Sequence, residues 1–120
     1  MSKKILIAED ETHIAKIIRF KLEKNGYTVI HESNGNDALA SIISEKPDLV
    51  LLDVMMPGMN GFEVLKAIKA DPNVGDIPII MLTALGQETD MVKGFDLGVK
   101  DYITKPFRTA ELLSRVNRFL

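Results

Sequence analysis

The sequence has no cysteine. Disulfides and thiolate metal sites are therefore excluded, and the composition fits a reducing compartment. It has no excess of positive charge: 15 Lys and Arg against 17 Asp and Glu leave a net charge of −2. Nucleic-acid binding by this domain is not expected, because neutralising phosphates requires a basic surface. No apolar run is long enough to span a bilayer, and no signal peptide precedes the first strand-like run. A cytoplasmic protein without a membrane partner is expected. A Gly-rich phosphate loop and a Walker pattern are both missing, which leaves nucleotide binding without support. Repeats, low-complexity tracts and linkers are absent too. The 120 residues suit one domain, 1–120, with a single core.

What is present is an alternation. Ile5-Leu6-Ile7-Ala8 reads as a short strand ending in Glu9-Asp10. Ile14, Ile17, Ile18 and Leu22 then recur at helical spacing, and Asn25-Gly26 ends that helix. Tyr27–Ile30 is a second strand. A second helix carries Ala38, Leu39, Ile42 and Ile43, opened by Asn34-Gly35-Asn36 and closed before Pro47. The run Leu49-Val50-Leu51-Leu52 has no alternation and predicts a strand buried on both faces, as in a parallel sheet. Asp53 stands at its carboxyl end.

Asn60 with Glu63 predicts a capping box that starts a third helix, broken by Asp71-Pro72-Asn73. Ile77–Leu82 is a fourth strand ending at Thr83-Ala84, and a weaker helix covers roughly Gln87 to Leu97. Lys100–Ile103 is a fifth strand, followed by Thr104-Lys105-Pro106. Thr109 is the expected cap of a last helix bearing Leu112, Leu113, Val116, Phe119 and Leu120. Alternating strands and helices with right-handed crossovers predict an α/β, flavodoxin-like doubly wound sheet. It has five parallel strands in the order 2-1-3-4-5 and five helices, (βα)5.

That order has its switch point between the first and third strands, where ligands bind beyond the carboxyl ends. Glu9, Asp10 and Asp53 should meet there. Like charges this close repel unless a cation neutralises them. All-oxygen ligation in a shallow site suits Mg²⁺, with Mn²⁺ as a substitute, better than a full Ca²⁺ cage. Thr83 and Lys105 end the fourth and fifth strands and should share the rim. Together they would add a hydroxyl and an ammonium to a metal and a carboxylate, a set that can hold a phosphoryl group. An aspartate can itself be the nucleophile and form an aspartyl phosphate. Read singly, Asp53 and Thr83 are turn residues, Glu9-Asp10 favours a helix dipole, and Lys105 is a solvated charge. Their joint placement at four strand ends points to one site. His13 and His31 carry no expected role.

These residues resemble the receiver domain of bacterial two-component response regulators over the whole chain. The resemblance rests on Glu9-Asp10, Leu51-Leu52-Asp53-Val54-Met55-Met56-Pro57, Thr83-Ala84 and Asp101-Tyr102-Ile103-Thr104-Lys105-Pro106-Phe107. It implies that Asp53 accepts phosphate from a sensor histidine kinase or a phosphotransfer protein. Asp10, Asp53 and the main-chain carbonyl of Met55 would ligate Mg²⁺, with Glu9 acting through a metal-bound water. Lys105 and Thr83 would hold phosphate oxygens, and Tyr102 would turn inward as Thr83 moves. The Lys105-Pro106 bond would be cis.

Such a domain is a switch rather than an enzyme: it promotes only its own phosphorylation and dephosphorylation. Met55 and Leu85 would flank the phosphoryl group with apolar side chains. The fourth helix, fifth strand and fifth helix would form a partner face with Lys93, Phe95, Asp96, Asp101, Glu111, Arg115 and Arg118. A phosphorylation-dependent homodimer is one use of that face, although Met91 stands where many relatives carry a basic residue. Two other classes compete. An aspartate-nucleophile phosphatase would need a second carboxylate where Met55 stands, and a flavin binder would need a hydroxyl- and Gly-rich loop where Glu9-Asp10-Glu11 stands.

Overall fold

The computed structural model describes residues 2–84 and 88–120, with backbone alone for 88–91. The elements are β1 (Lys4–Ala8), α1 (Thr12–Lys24), β2 (Thr28–Glu32), α2 (Gly35–Glu45), β3 (Leu49–Asp53), α3 (Gly61–Ala70), β4 (Ile79–Ala84), α4 (Glu88–Asp96), β5 (Asp101–Lys105) and α5 (Thr109–Phe119). The five strands lie in the order β2-β1-β3-β4-β5, and every pairing is parallel. This is the flavodoxin-like, doubly wound α/β sheet that the alternation predicts.

Side chains alternate across the sheet and split the core in two. Ile5, Ile7, Leu49, Leu51, Ile80, Leu82 and Ile103 pack against Ile18 and Leu22 of α1 and Leu112 and Val116 of α5. Leu6, Ala8, Val50, Leu52, Ile79, Met81 and Tyr102 face the other way, onto Ala38 and Ile42 of α2 and Phe62, Leu65 and Ile68 of α3. All five residues of β3 are buried, so covering helices explain its unbroken apolar run.

Local signals set the helix starts. Asn34 caps α2 by accepting from the Asp37 N–H. The capping box of α3 forms in both directions: the Glu63 N–H donates to Asn60 Oδ1 and the Asn60 N–H to Glu63 Oε1, each at 3.0 Å. The last helix differs from expectation. Its cap is Arg108, in extended backbone and without a side-chain cap bond, and Thr109 is the first helical residue. Phe107, two residues before Thr109, packs against the α1/α5 core layer. Strand β2 is shifted by one residue and runs to Glu32, and β5 extends to Lys105, both in register with a neighbour.

Candidate functional site

Parallel pairing brings the carboxyl ends of the strands to one edge. Asp53 is the last residue of β3 and is opposite Leu82, so Thr83 follows one step on in β4. Ala84 is opposite Lys105, which closes β5. Glu9 and Asp10 continue from β1. An open cleft at this edge is lined by Asp10, Asp53, Met55, Thr83, Ala84 and Lys105, among others. The predicted constellation is thus brought together in one place.

Its charges differ in depth. Glu9 is fully buried, Asp53 is buried, and Asp10 is exposed. One carboxylate oxygen from each lies within 4.8 Å of the others. Lys105 bridges the two buried acids, with Nζ 2.7 Å from Glu9 Oε1 and 2.9 Å from Asp53 Oδ2. Glu11, which no motif in the sequence singles out, lies 3.8 Å from the same ammonium. Backbone donors hold the remaining oxygens: the Met55 N–H donates to Asp53 Oδ1 at 3.3 Å and the Glu11 N–H to Glu9 Oε2 at 3.2 Å. Thr83 Oγ1 is buried with no hydrogen-bond partner among the described residues. A buried hydroxyl without a partner is uncommon, and here it lines the cleft with a donor not committed to the fold.

Burial first, and then the Asp53 carboxylate, push the Glu9 carboxyl up to about 8; Lys105 and the Glu11 N–H pull the other way. Burial works against the charge of Lys105, but its bonds to Glu9 and Asp53 outweigh that, and its net direction is upward. A divalent cation fits this donor set. The three carboxylates are hard oxygen ligands on an open cleft, and a cation would offset the burial and the neighbouring carboxylate that together raise the Glu9 carboxyl.

Flanking contacts hold the cleft in shape. The Gly61 N–H donates to the Val54 carbonyl at 2.9 Å, which seats the start of α3 against the end of β3. The Gly35 N–H donates to the Pro57 carbonyl at 3.2 Å. A Cβ at Gly35 would lie 1.8 Å from the Met59 carbonyl oxygen, so α2 and the loop after β3 approach as closely as backbones can. The Lys105-Pro106 peptide is cis.

His31, to which the sequence assigned nothing, has Nε2 2.8 Å from the main-chain oxygen of Glu9. A carbonyl only accepts, so Nε2 carries the proton. No periodicity or motif marks that bond; only the β1–β2 register reveals it. Met55 projects into solvent, 73% exposed. Leu85 and the side chain of Met91 lie outside the described residues. Tyr102 is buried, its ring edge-on to Phe95. On the expected partner face, Arg115 is already paired within the chain, at 2.9 and 2.8 Å from the two oxygens of Asp101.

A family model for the response regulator receiver domain matches residues 5–117. Among similar solved structures is the signal receiver domain of a signal transduction histidine kinase from Syntrophus aciditrophicus. It is 37% identical with a TM-score of 0.91, over 99% of this chain and 90% of that one. The chemotaxis response regulator CheY4 of Vibrio cholerae is 31% identical with a TM-score of 0.94, over 100% of both chains. NtrX from Brucella abortus is 29% identical with a TM-score of 0.91; 100% of this chain is covered, against 27% of that one.

Proposed function

Because the chain belongs to the family of response regulator receiver domains, we propose that it is a phosphorylation-controlled switch of two-component signalling, with Asp53 as the acceptor. The observation that carries this is the bridging of Asp53 and Glu9 by Lys105, beside a buried Thr83 hydroxyl that has no partner among the described residues. An oxygen of Asp53 attacks the phosphorus of a phosphohistidine. The new O–P bond forms as the N–P bond breaks, and the electron pair leaves with the imidazole, which takes up a proton. Lys105 turns from the carboxylate toward the incoming phosphoryl oxygens, and Thr83 donates its hydroxyl to one of them. Bound Mg²⁺ would supply charge neutralisation and orientation, held by Asp10, Asp53 and the Met55 carbonyl, with Glu9 behind.

The donor is a sensor histidine kinase or a phosphotransfer protein, and the setting is cytoplasmic. The chain is not an enzyme acting on a separate substrate. Its output surface is α4, β5 and α5. A homodimer through that face requires Arg115 or Arg118 to exchange Asp101 of its own chain for an acid of the partner. Sedimentation with beryllofluoride and Mg²⁺ should then show a shift from monomer to dimer.

The acceptor is tested with acetyl phosphate and Mg²⁺. Mass spectrometry should find one added phosphoryl group, absent without the divalent ion and absent in Asp53→Ala. Full labelling of Asp53→Ala would move the acceptor elsewhere.

A further inference from the structure

Glycine inside a helix costs about 1 kcal/mol relative to alanine, so it needs a reason. Gly94 lies within α4 and is buried. Its φ is not in the left-handed region, where Gly26, Gly58 and Gly98 are found. Backbone conformation therefore does not explain it. The space around it does. A Cβ at position 94 would lie 1.6 Å from the Tyr102 hydroxyl oxygen and 2.6 Å from its ring carbon Cζ. The next residue, Phe95, meets the same ring at 5.0 Å between centroids and 71° between planes, an edge-on contact. The Tyr102 ring, only 4% exposed, thus ends in a notch that exists because residue 94 has no side chain.

We propose that Gly94 is a positioning residue: it admits the Tyr102 ring beneath α4, and a larger residue there drives the ring into solvent and disconnects α4 from the site at the strand ends. The ring belongs to β5, three residues before Lys105, while the notch belongs to α4. Ring and helix therefore cannot move independently. With the ring inward, α4 is held off by its hydroxyl end; with the ring outward, the notch is free for the helix to shift. The seating of the ring stands on geometry alone. Its signalling consequence rests on the reading of Asp53 as acceptor.

The test uses Gly94→Ala in two backgrounds, wild type and Tyr102→Leu, the leucine being too short to reach the notch. Nitration by tetranitromethane, mapped by peptide mass, reports exposure of Tyr102. It should speed up roughly tenfold in Gly94→Ala, since modifying a buried ring waits on local opening. Thermal melting supplies the second readout. Gly94→Ala should raise the melting temperature in the Tyr102→Leu background, where only helix propensity acts, and should lower it with Tyr102 present. A ring that stays protected, or the same melting shift in both backgrounds, overturns the proposal, as does failure of both variants to fold. With acetyl phosphate, Gly94→Ala should label Asp53 at wild-type yield while the α4 amide shifts stop responding. An α4 response equal to wild type overturns the coupling. If wild type itself takes no label, the reading of Asp53 fails, and nitration and melting still decide the role of Gly94.

Discussion

The two ends of the sheet carry similar charges and treat them differently. At the amino end, Lys4 Nζ meets Glu45 Oε1 at 3.0 Å, and the Lys4 N–H donates to Asp48 Oδ2 at 2.7 Å. The side chains of Lys4 and Glu45 are 35% and 46% exposed, so water and one partner satisfy each. At the carboxyl end, Lys105 is shared between two acids that are almost wholly buried, and the Thr83 hydroxyl has no partner among the described residues. An amino end built this way contributes a little stability. A carboxyl end built this way is costly to the fold, and groups held under that kind of strain cluster at functional sites. Under the proposed function, the shared ammonium and the acids around it would receive a metal cation and a phosphoryl group.

The largest expected departure between the two ends comes from removing the shared cation. Lys105→Met leaves Glu9 and Asp53 facing each other in a buried place. The loss should be about 2–3 kcal/mol by urea unfolding, somewhat under the range for a fully buried pair because Lys105 keeps some exposure. A loss below about 0.5 kcal/mol would put this end on the same footing as the other.

The next contrast is in pH dependence. Glu9 has its folded pKa raised from 4.5 to about 8, so between those values the unfolded chain releases a proton that the native state retains. Stability from this group is therefore full below pH 4.5 and declines as pH rises toward 8. Glu9→Gln should flatten that decline in denaturation midpoints measured across the window. Apparent Mg²⁺ affinity of the wild type should rise over the same window, because a ligating cluster must lose its proton. A decline that is unchanged in Glu9→Gln would assign it to other groups.

Asn60→Ala is intermediate. It removes a cap that is at the site's end of the sheet but is satisfied locally, so it should cost about 1 kcal/mol and leave Asp53 labelling intact. The smallest effect belongs to the amino end. Lys4→Met breaks an exposed pair and should change stability by about 0.5 kcal/mol or less, with a further decrease in that difference at high salt.

Much of this is legible in the amino-acid sequence alone. The unbroken Leu49–Leu52 run announces a strand covered on both faces, and Asn60 with Glu63 announces the start of α3. The five-residue constellation follows once the strand order is known, because parallel strands deliver their last residues to one edge. What was not legible depends on depth and on contact between distant elements. Composition does not distinguish buried Glu9 from exposed Asp10, its neighbour in sequence. The His31 bond depends on register, and the notch at Gly94 depends on how far β5 lies beneath α4. Thr109 shows the remaining weakness: a good capping residue is the first helical residue instead, one position past the cap, and only the chain's path shows it.

The loop after β3 is pinned at three points: at its start through Val54 to Gly61, in its middle through Pro57 to Gly35, and where Met59 lies against Gly35. It is less a flexible connection than a hoop fastened to two helices. Anyone wishing to graft this site onto a different parallel sheet must therefore carry across the first turns of both α2 and α3. Transplanting the aspartate and its polar neighbours alone would move the residues without the frame that aims them.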